Sequence, residues 1–233
     1  MAPGSTLGPF RFQAFRAIWI ANLFSNIGSM IQSVGAAWLM TELTTSHRLI
    51  ALVQASTTLP ILLFGVMAGA IADNYDRRRV MLTAQFGMLV SSGLLALASY
   101  QGFVTPTILL LLTLAVGIGT ALNSPAWQAS VRAQVGRQDL PQAISLNTIA
   151  FNLARSVGPA LGGLLISLWD ISLAFVLNAL SYILLIVVLL RWRPDVDPPV
   201  RTPMFQSIKT GISYCLTSPS LRKVLVRGAV IGF

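Results

Sequence analysis

The chain has 233 residues, 55% of them hydrophobic and only 10% charged, with a mean hydropathy of +0.73. A soluble domain carries about a quarter charged residues because its surface must meet water, so this composition excludes a soluble enzyme or carrier and points to lipid. A net charge of +9 would suit a nucleic-acid binder among soluble proteins, but its distribution along the chain assigns it to membrane orientation, and no nucleic-acid partner is expected.

Residues 17–41, 49–72, 80–131 and 171–190 contain no Asp, Glu, Lys or Arg. A helix crossing the hydrocarbon core needs about 20 apolar residues at 1.5 Å each. The run 80–131 would be about 78 Å long as one helix, so it must turn, and Gly102 and Pro106 mark the place. Residues 140–169 form a further segment interrupted once, by Arg155. The expected spans are 17–41, 49–72, 80–99, 106–131, 142–168 and 171–190. Alternation of polar and apolar residues over about ten positions, the mark of a membrane strand, is missing, so all six are expected to be helical.

With the N-terminus inside, fourteen of the sixteen basic residues fall on the cytoplasmic side: Arg11, Arg16, Arg77, Arg78, Arg79, Arg132, Arg137 and the seven from Arg191 to Arg227. Arg48 lies outside and Arg155 within the membrane. Positive loops resist translocation, so a multi-pass protein of the inner or plasma membrane with a cytoplasmic N-terminus is expected. The first apolar run has no cleavage site after it and is read as an uncleaved helix. The lone Cys215 makes no disulfide within the chain. Trp127 and Trp169 read as interfacial anchors.

Three regions follow: a six-helix bundle over 1–191, a polar, proline-rich cytoplasmic linker with an amphipathic helix over 192–220, and an apolar stretch at 221–233. That last stretch is about half the length a span needs, so it reads as the start of a seventh helix. An internal repeat is visible as well. Ile27-Gly-Ser-Met-Ile-Gln-Ser33 in the first span is similar to Ile118-Gly-Thr-Ala-Leu-Asn-Ser124 in the fourth, which runs the opposite way. Inverted three-plus-three repeats build the halves of some secondary transporters.

One His, one Cys, no paired carboxylates within a span, no phosphate-binding glycine loop and no metal-ligand cluster leave nothing for catalysis or for a nucleotide. An enzyme is not expected, nor any cofactor or metal. The informative residues are polar ones inside the spans. Asn22, Asn26 and Gln32 in the first, Asn123 in the fourth, and Asn152 and Arg155 in the fifth are expected to line a midplane pathway. A charge such as Arg155 is costly at that depth and calls for a functional or a hydrogen-bonded structural role.

Between the second and third spans the sequence reads Gly69-Ala-Ile-Ala-Asp73-Asn-Tyr-Asp-Arg77-Arg78-Arg79. This resembles the signature loop of the major facilitator superfamily, Gly-x-x-x-Asp-Arg-x-Gly-Arg-Lys. Gly69, Asp73, Arg77 and Arg78 match, while Asn74 and Asp76 replace the first arginine and the second glycine. The resemblance implies a cytoplasmic gate that latches two transporter halves; the arginines also serve orientation. In the fifth span, Ala154-Arg-Ser-Val-Gly158-Pro159-Ala-Leu-Gly162-Gly163 is similar to the Gly-x-x-x-Gly-Pro-x-x-Gly-Gly motif of the superfamily's antiporters, with Ala154 for the first glycine. Tight helix packing is the other use of such glycines. Thr113 stands where those antiporters often carry an arginine.

The resemblance extends over residues 10–225 and is nearest the branch that exports siderophores and drugs. It implies an all-α membrane protein: six transmembrane helices forming one half of a twelve-helix fold, with the C-terminal half as partner. The implied activity is proton-coupled efflux of a small hydrophobic or siderophore-like molecule. An uptake permease, or a non-transporting interaction subunit, are the rivals. The topology is testable by labelling single cysteines in a Cys215→Ser background. A cysteine at position 46 should react from outside the cell and one at position 76 only after permeabilisation; labelling of 76 in intact cells would sink the six-span arrangement.

Overall fold

The computed structural model describes residues 5–193. Within them six long helices follow a short 3-10 turn at Gly8–Arg11: α1 (Gln13–Leu43), α2 (His47–Asn74), α3 (Arg77–Tyr100), α4 (Pro106–Gln134), α5 (Leu140–Leu168) and α6 (Ile171–Arg191). The amphipathic segment, Cys215 and the apolar stretch at 221–233 lie outside the described residues, as does the linker beyond Arg193.

Helix ends are set by local chemistry. Asp76 caps α3 by accepting from the Arg78 amide at 2.9 Å, and Thr105, followed by Pro106 in the first turn, caps α4. Asp170 accepts from the Ser172 amide at 2.7 Å at the start of α6. These bonds hold its carboxyl below the usual carboxylate range. At the end of α3, Gly102 adopts φ 72. Its amide bonds the Ser99 carbonyl, and that of Phe103 bonds Ala98, closing the helix in the left-handed manner that glycine permits. The turn expected at 100–106 is therefore where the chain reverses.

By length and composition five of these helices, α2 to α6, suffice to cross a bilayer. α1 has the length, 31 residues, but Asn22, Ser25, Asn26, Ser29, Gln32 and Ser33 dilute its apolarity. The structure resolves that tension in part by burial: Asn22, Ser25 and Gln32 are turned inward.

The principal seams are α2 with α4, α3 with α4, α1 with α5, α3 with α6 and α1 with α6. Lesser contacts join α1 to α2 and α4, α4 to α5, α2 to α3, and α5 to α6. Exchanging α1 with α4, α2 with α5 and α3 with α6 turns this set of pairs into itself.

Apolar layers close both ends of the bundle. One joins Ile18, Ala72, Met81, Trp127, Leu185 and Trp192; the other joins Met40, Val53, Leu95, Leu109 and Phe175. Trp127, expected as an interfacial anchor, is therefore a core residue, because its helix turns it toward α1 and α6; Trp169 is exposed after α5.

Between those layers lies a buried polar cluster. The Gln32 amide oxygen accepts from Ser92 Oγ at 2.7 Å and from Asn178 Nδ2 at 2.8 Å. Asn178 Nδ2 also donates to Tyr182 Oη at 3.0 Å, which meets Ser29 Oγ at 3.2 Å. The cluster ties α1, α3 and α6 together where lipid could supply no substitute partner. Replacing Asn178 by Leu should lower stability by about 1–2 kcal/mol, since Gln32 loses a buried donor. Thermal unfolding in detergent measures it, and the cost should be non-additive with Gln32→Leu. Full additivity would mean that the two amides do not cooperate.

Candidate functional site: the open polar face and the loop between α2 and α3

The end of the bundle that carries the α2–α3 loop is braced by arginines. Arg78 donates through Nε to the Leu189 carbonyl and through Nη2 to the Leu190 carbonyl, both at 2.7 Å. Two orphan carbonyls of the last turn of α6 are thus satisfied, with a positive charge at the negative end of the helix dipole. Arg77 donates to the Ala129 carbonyl of α4 at 3.2 Å. Arg79 is exposed and lies 3.7 Å from Asp76, a surface pair of little weight. At the same end, Arg11 pairs with the fully buried Asp139 at 2.5 Å, fastening the segment before α1 to the turn before α5. No local pattern marks this pair, since the two residues are 128 positions apart.

Asp73 differs from these. It is exposed on the last turn of α2 and has no ion pair or hydrogen bond with the described residues. A carboxylate at a helix C-terminus opposes the dipole, so nothing within this bundle accounts for it. Gly69, one turn earlier, faces open space. Of the expected gate residues, then, Arg77 and Arg78 brace this bundle internally, while Asp73 and Gly69 face away from it.

The glycines of α5 divide in a similar way. A Cβ at Gly158 would collide with the Met30 side chain, and one at Gly162 would lie 3.2 Å from Val34 Cβ and 3.3 Å from Ile31 Cα. With Ala150 and Ala154, these small residues form the face that α5 lays on α1. Pro159 is exposed, the helix runs through it unbroken, and Gly163 meets nothing within 4 Å.

The expected pathway residues do not all share one surface. Gln32 is a correction: it is 4% exposed, and its bonds to Ser92 and Asn178 place it inside the bundle. Asn22 is buried on α1 without a hydrogen bond to the described residues. Asn26 is half-buried. Asn123 on α4 is half-buried too, with its amide oxygen enclosed and unpartnered among the described residues. The hydroxyl of Thr113, on the same helix, is likewise enclosed and unpartnered. Asn152 and Arg155 are exposed on α5, and the Arg155 guanidinium lies 5.8 Å from the centre of the Phe151 ring. Sequence reasoning missed Ser92, Asn178 and Tyr182. Polar residues in α3 and α6 were the available signal, but spacing alone does not say that three helices bring them together.

Residues 4–233 match the family described as transmembrane secretion effector. The chain belongs to that family of the major facilitator superfamily. It is 26% identical over 209 residues to the staphyloferrin A transporter of Staphylococcus aureus, covering 88% of this chain and 52% of that protein. The enterobactin exporter of Shigella boydii is 26% identical over 223 residues, 94% of this chain and 53% of its own length. Macrolide efflux protein A of Streptococcus pyogenes is 23% identical over 170 residues, 73% of this chain and 42% of that protein. The chain spans about half the length of these relatives, which carry the names of transporters rather than enzymes. With its long apolar helices, it is a multi-pass membrane protein of a transporter superfamily.

The packing face of α5 makes a paired prediction. Gly158→Val should cost about 1–3 kcal/mol by overpacking against Met30, seen as a lower unfolding temperature in detergent. Gly163→Ala, just over one turn past Pro159 and facing open space, should leave that temperature unchanged. Equal effects would mean that the motif does not divide into packing and free positions.

Proposed function

We propose that this chain supplies the N-terminal six-helix half of a twelve-helix exporter that moves a small hydrophobic or siderophore-like molecule out of the cell in exchange for protons. The self-consistent exchange of α1–α3 with α4–α6 in the packing supports a three-plus-three inverted repeat. Glycines in the repeated segments support it too: Gly28 of α1 admits Asn178 and Ser181 of α6, and Gly119 of α4 admits Met88 of α3. All six helices cross the membrane in this reading, α1 with its polar residues turned to the bundle and the pathway. The N-terminus is cytoplasmic.

The observation that carries the reading is the open face of α5. Arg155 and Asn152 stand exposed directly beside the Ala154–Gly158–Gly162 seam, 15 residues after Leu140 and 13 before Leu168. A polar surface at that depth belongs to a pathway between two halves, since lipid would not tolerate it. Export, as in the names of the siderophore and macrolide relatives, agrees with the Gly158-Pro159-x-x-Gly162-Gly163 motif. Asp73 then serves as the gate residue, seeking its partner in the other half when the transporter opens outward, so its charge biases the two states rather than the fold.

Inside-out vesicles carrying the assembled transporter, with an imposed proton gradient, provide the test. Uptake of substrate should follow the gradient, and Asp73→Asn should lower flux severalfold at unchanged membrane abundance. Residues 1–233 alone should insert yet move nothing; proton-coupled flux through vesicles holding them alone would refute the half-transporter reading.

A further inference from the structure

We infer that the segment before α1 is a brace that fixes the spacing of α4 and α5 where α5 begins, and that the Arg11–Asp139 ion pair is its lock. The inference concerns geometry and goes beyond the transport reading, since it does not depend on what is carried or in which direction.

The need for a brace follows from the packing. α4 and α5 are joined by a short turn at 135–139, yet they share only a lesser contact. Lipid tails give two such helices no hydrophobic reason to close up. What joins them is the N-terminal segment. Gly8 and Pro9 are buried. Phe10, Phe12, Phe15 and Trp19 form one apolar cluster with Val131 and Val135 at the end of α4 and Ala143 and Leu146 at the start of α5. The Phe10 ring lies 5.7 Å from that of Phe15 and meets Trp19 edge-on at 5.1 Å between centroids. Trp19 Nε1 donates to the Leu146 carbonyl at 3.1 Å. Phe12 lies against the turn itself, its ring 3.6 Å from where a Cβ at Gly136 would stand.

Apolar contacts are non-directional and alone would let this segment slide. Charge pins it. Asp139, the last residue of the turn, is fully buried and held by Arg11 at 2.5 Å, and the Arg11 guanidinium also lies 4.9 Å from the Phe12 ring centre. A buried carboxylate that loses its cation keeps the cost of desolvation without the compensation. The pair therefore opens only at a penalty, and the brace stays seated.

The other end of the bundle supplies the contrast. Under the exchange of α1–α3 with α4–α6, the segment before α1 corresponds to the one before α4, and the gap between α4 and α5 to that between α1 and α2. There Val104 joins the layer that holds Met40 of α1 and Val53 of α2, with no ion pair among the described residues beside it. The same insertion is made twice, once with an ionic lock and once without. Since α4 carries Asn123 and α5 carries Asn152 and Arg155, the lock sets how far apart the two helices hold these polar groups. Arg11 and Asp139 are positioning residues.

Spin-label distances in the assembled transporter in lipid nanodiscs, in a Cys215→Ser background, test the brace. One pair of labelled cysteines replaces Arg132 and Ser145, exposed on α4 and α5; a second replaces Thr41 and Ala51, exposed on α1 and α2. The parent should give a narrow distance distribution for the first pair and a broader one for the second. Arg11→Gln should broaden the first to the width of the second and leave the second unchanged, the mark of a bundle that still folds. Arg11→Lys keeps the charge and should keep the first distribution narrow. A first distribution that Arg11→Gln leaves unchanged, even with a lower unfolding temperature, would reduce the pair to a stabilising contact and overturn the proposal. Equal broadening of both pairs would overturn it too, because the ion pair would then act on the whole bundle. Vesicle flux is read apart from these distances, so loss of the transport reading would leave the brace standing.

Discussion

Close approach of helices at small residues is the interaction on which the bundle depends. Lipid tails are as apolar as leucine, so helices gain nothing by hiding apolar surface from them; they associate through van der Waals contact and bonds between polar groups. Four of the five principal seams have a glycine at the point of contact. Gly28 and Gly35 seat α1 against α6, Gly117 seats α4 against Ser56 and Pro60 of α2, Gly119 admits Met88 of α3, and Gly158 with Gly162 seats α5 on α1. The remaining seam, α3 with α6, belongs to the helices that the Gln32–Ser92–Asn178 bonds tie together through α1. Contact distance and hydrogen bonding thus act together, because an amide network can close only where the backbones are near enough for short side chains to meet.

The distribution of charge follows from the same solvent. Backbone groups in lipid must be satisfied within the protein, and Arg78 does this for the last turn of α6. Asp76 and Asp170 serve as caps, Asp139 is the buried partner of Arg11, and Glu42 accepts from Trp38. Other charged groups stand outside this scheme. Asp73 and Arg155 have no ionic partner among the described residues, and they lie on α2 and α5, the two spans that bury the smallest share of their apolar length. These helices exchange with each other in the packing scheme. Both helices leave most of their apolar length uncovered within this bundle.

Much of this was legible beforehand. The reversal at 100–106, the five apolar spans and the small-residue character of α5 follow from composition and local turn chemistry. They depend on neighbours within one helix or loop. The roles of individual polar residues were less legible. Gln32 and Asn26 look alike in the sequence, six positions apart in one span, yet one is locked among three helices and the other remains half-open. Arg77, Arg78 and Arg79 are identical as residues, but two reach carbonyls on α4 and α6 and the third is left in solvent.

What the sequence determined by itself is therefore the solvent this protein inhabits and the places where it turns, since hydrophobic length, charge-free runs and Gly or Pro at a reversal are properties of short stretches. It also marked, through its repeated segment and glycine motifs, which stretches pack closely. Only the tertiary structure decided which polar groups satisfy one another and which are left over. A hydrogen bond such as Asn178 to Gln32 spans 146 positions, and its existence depends on the angular facing of two helices, a quantity that no local stretch of residues contains.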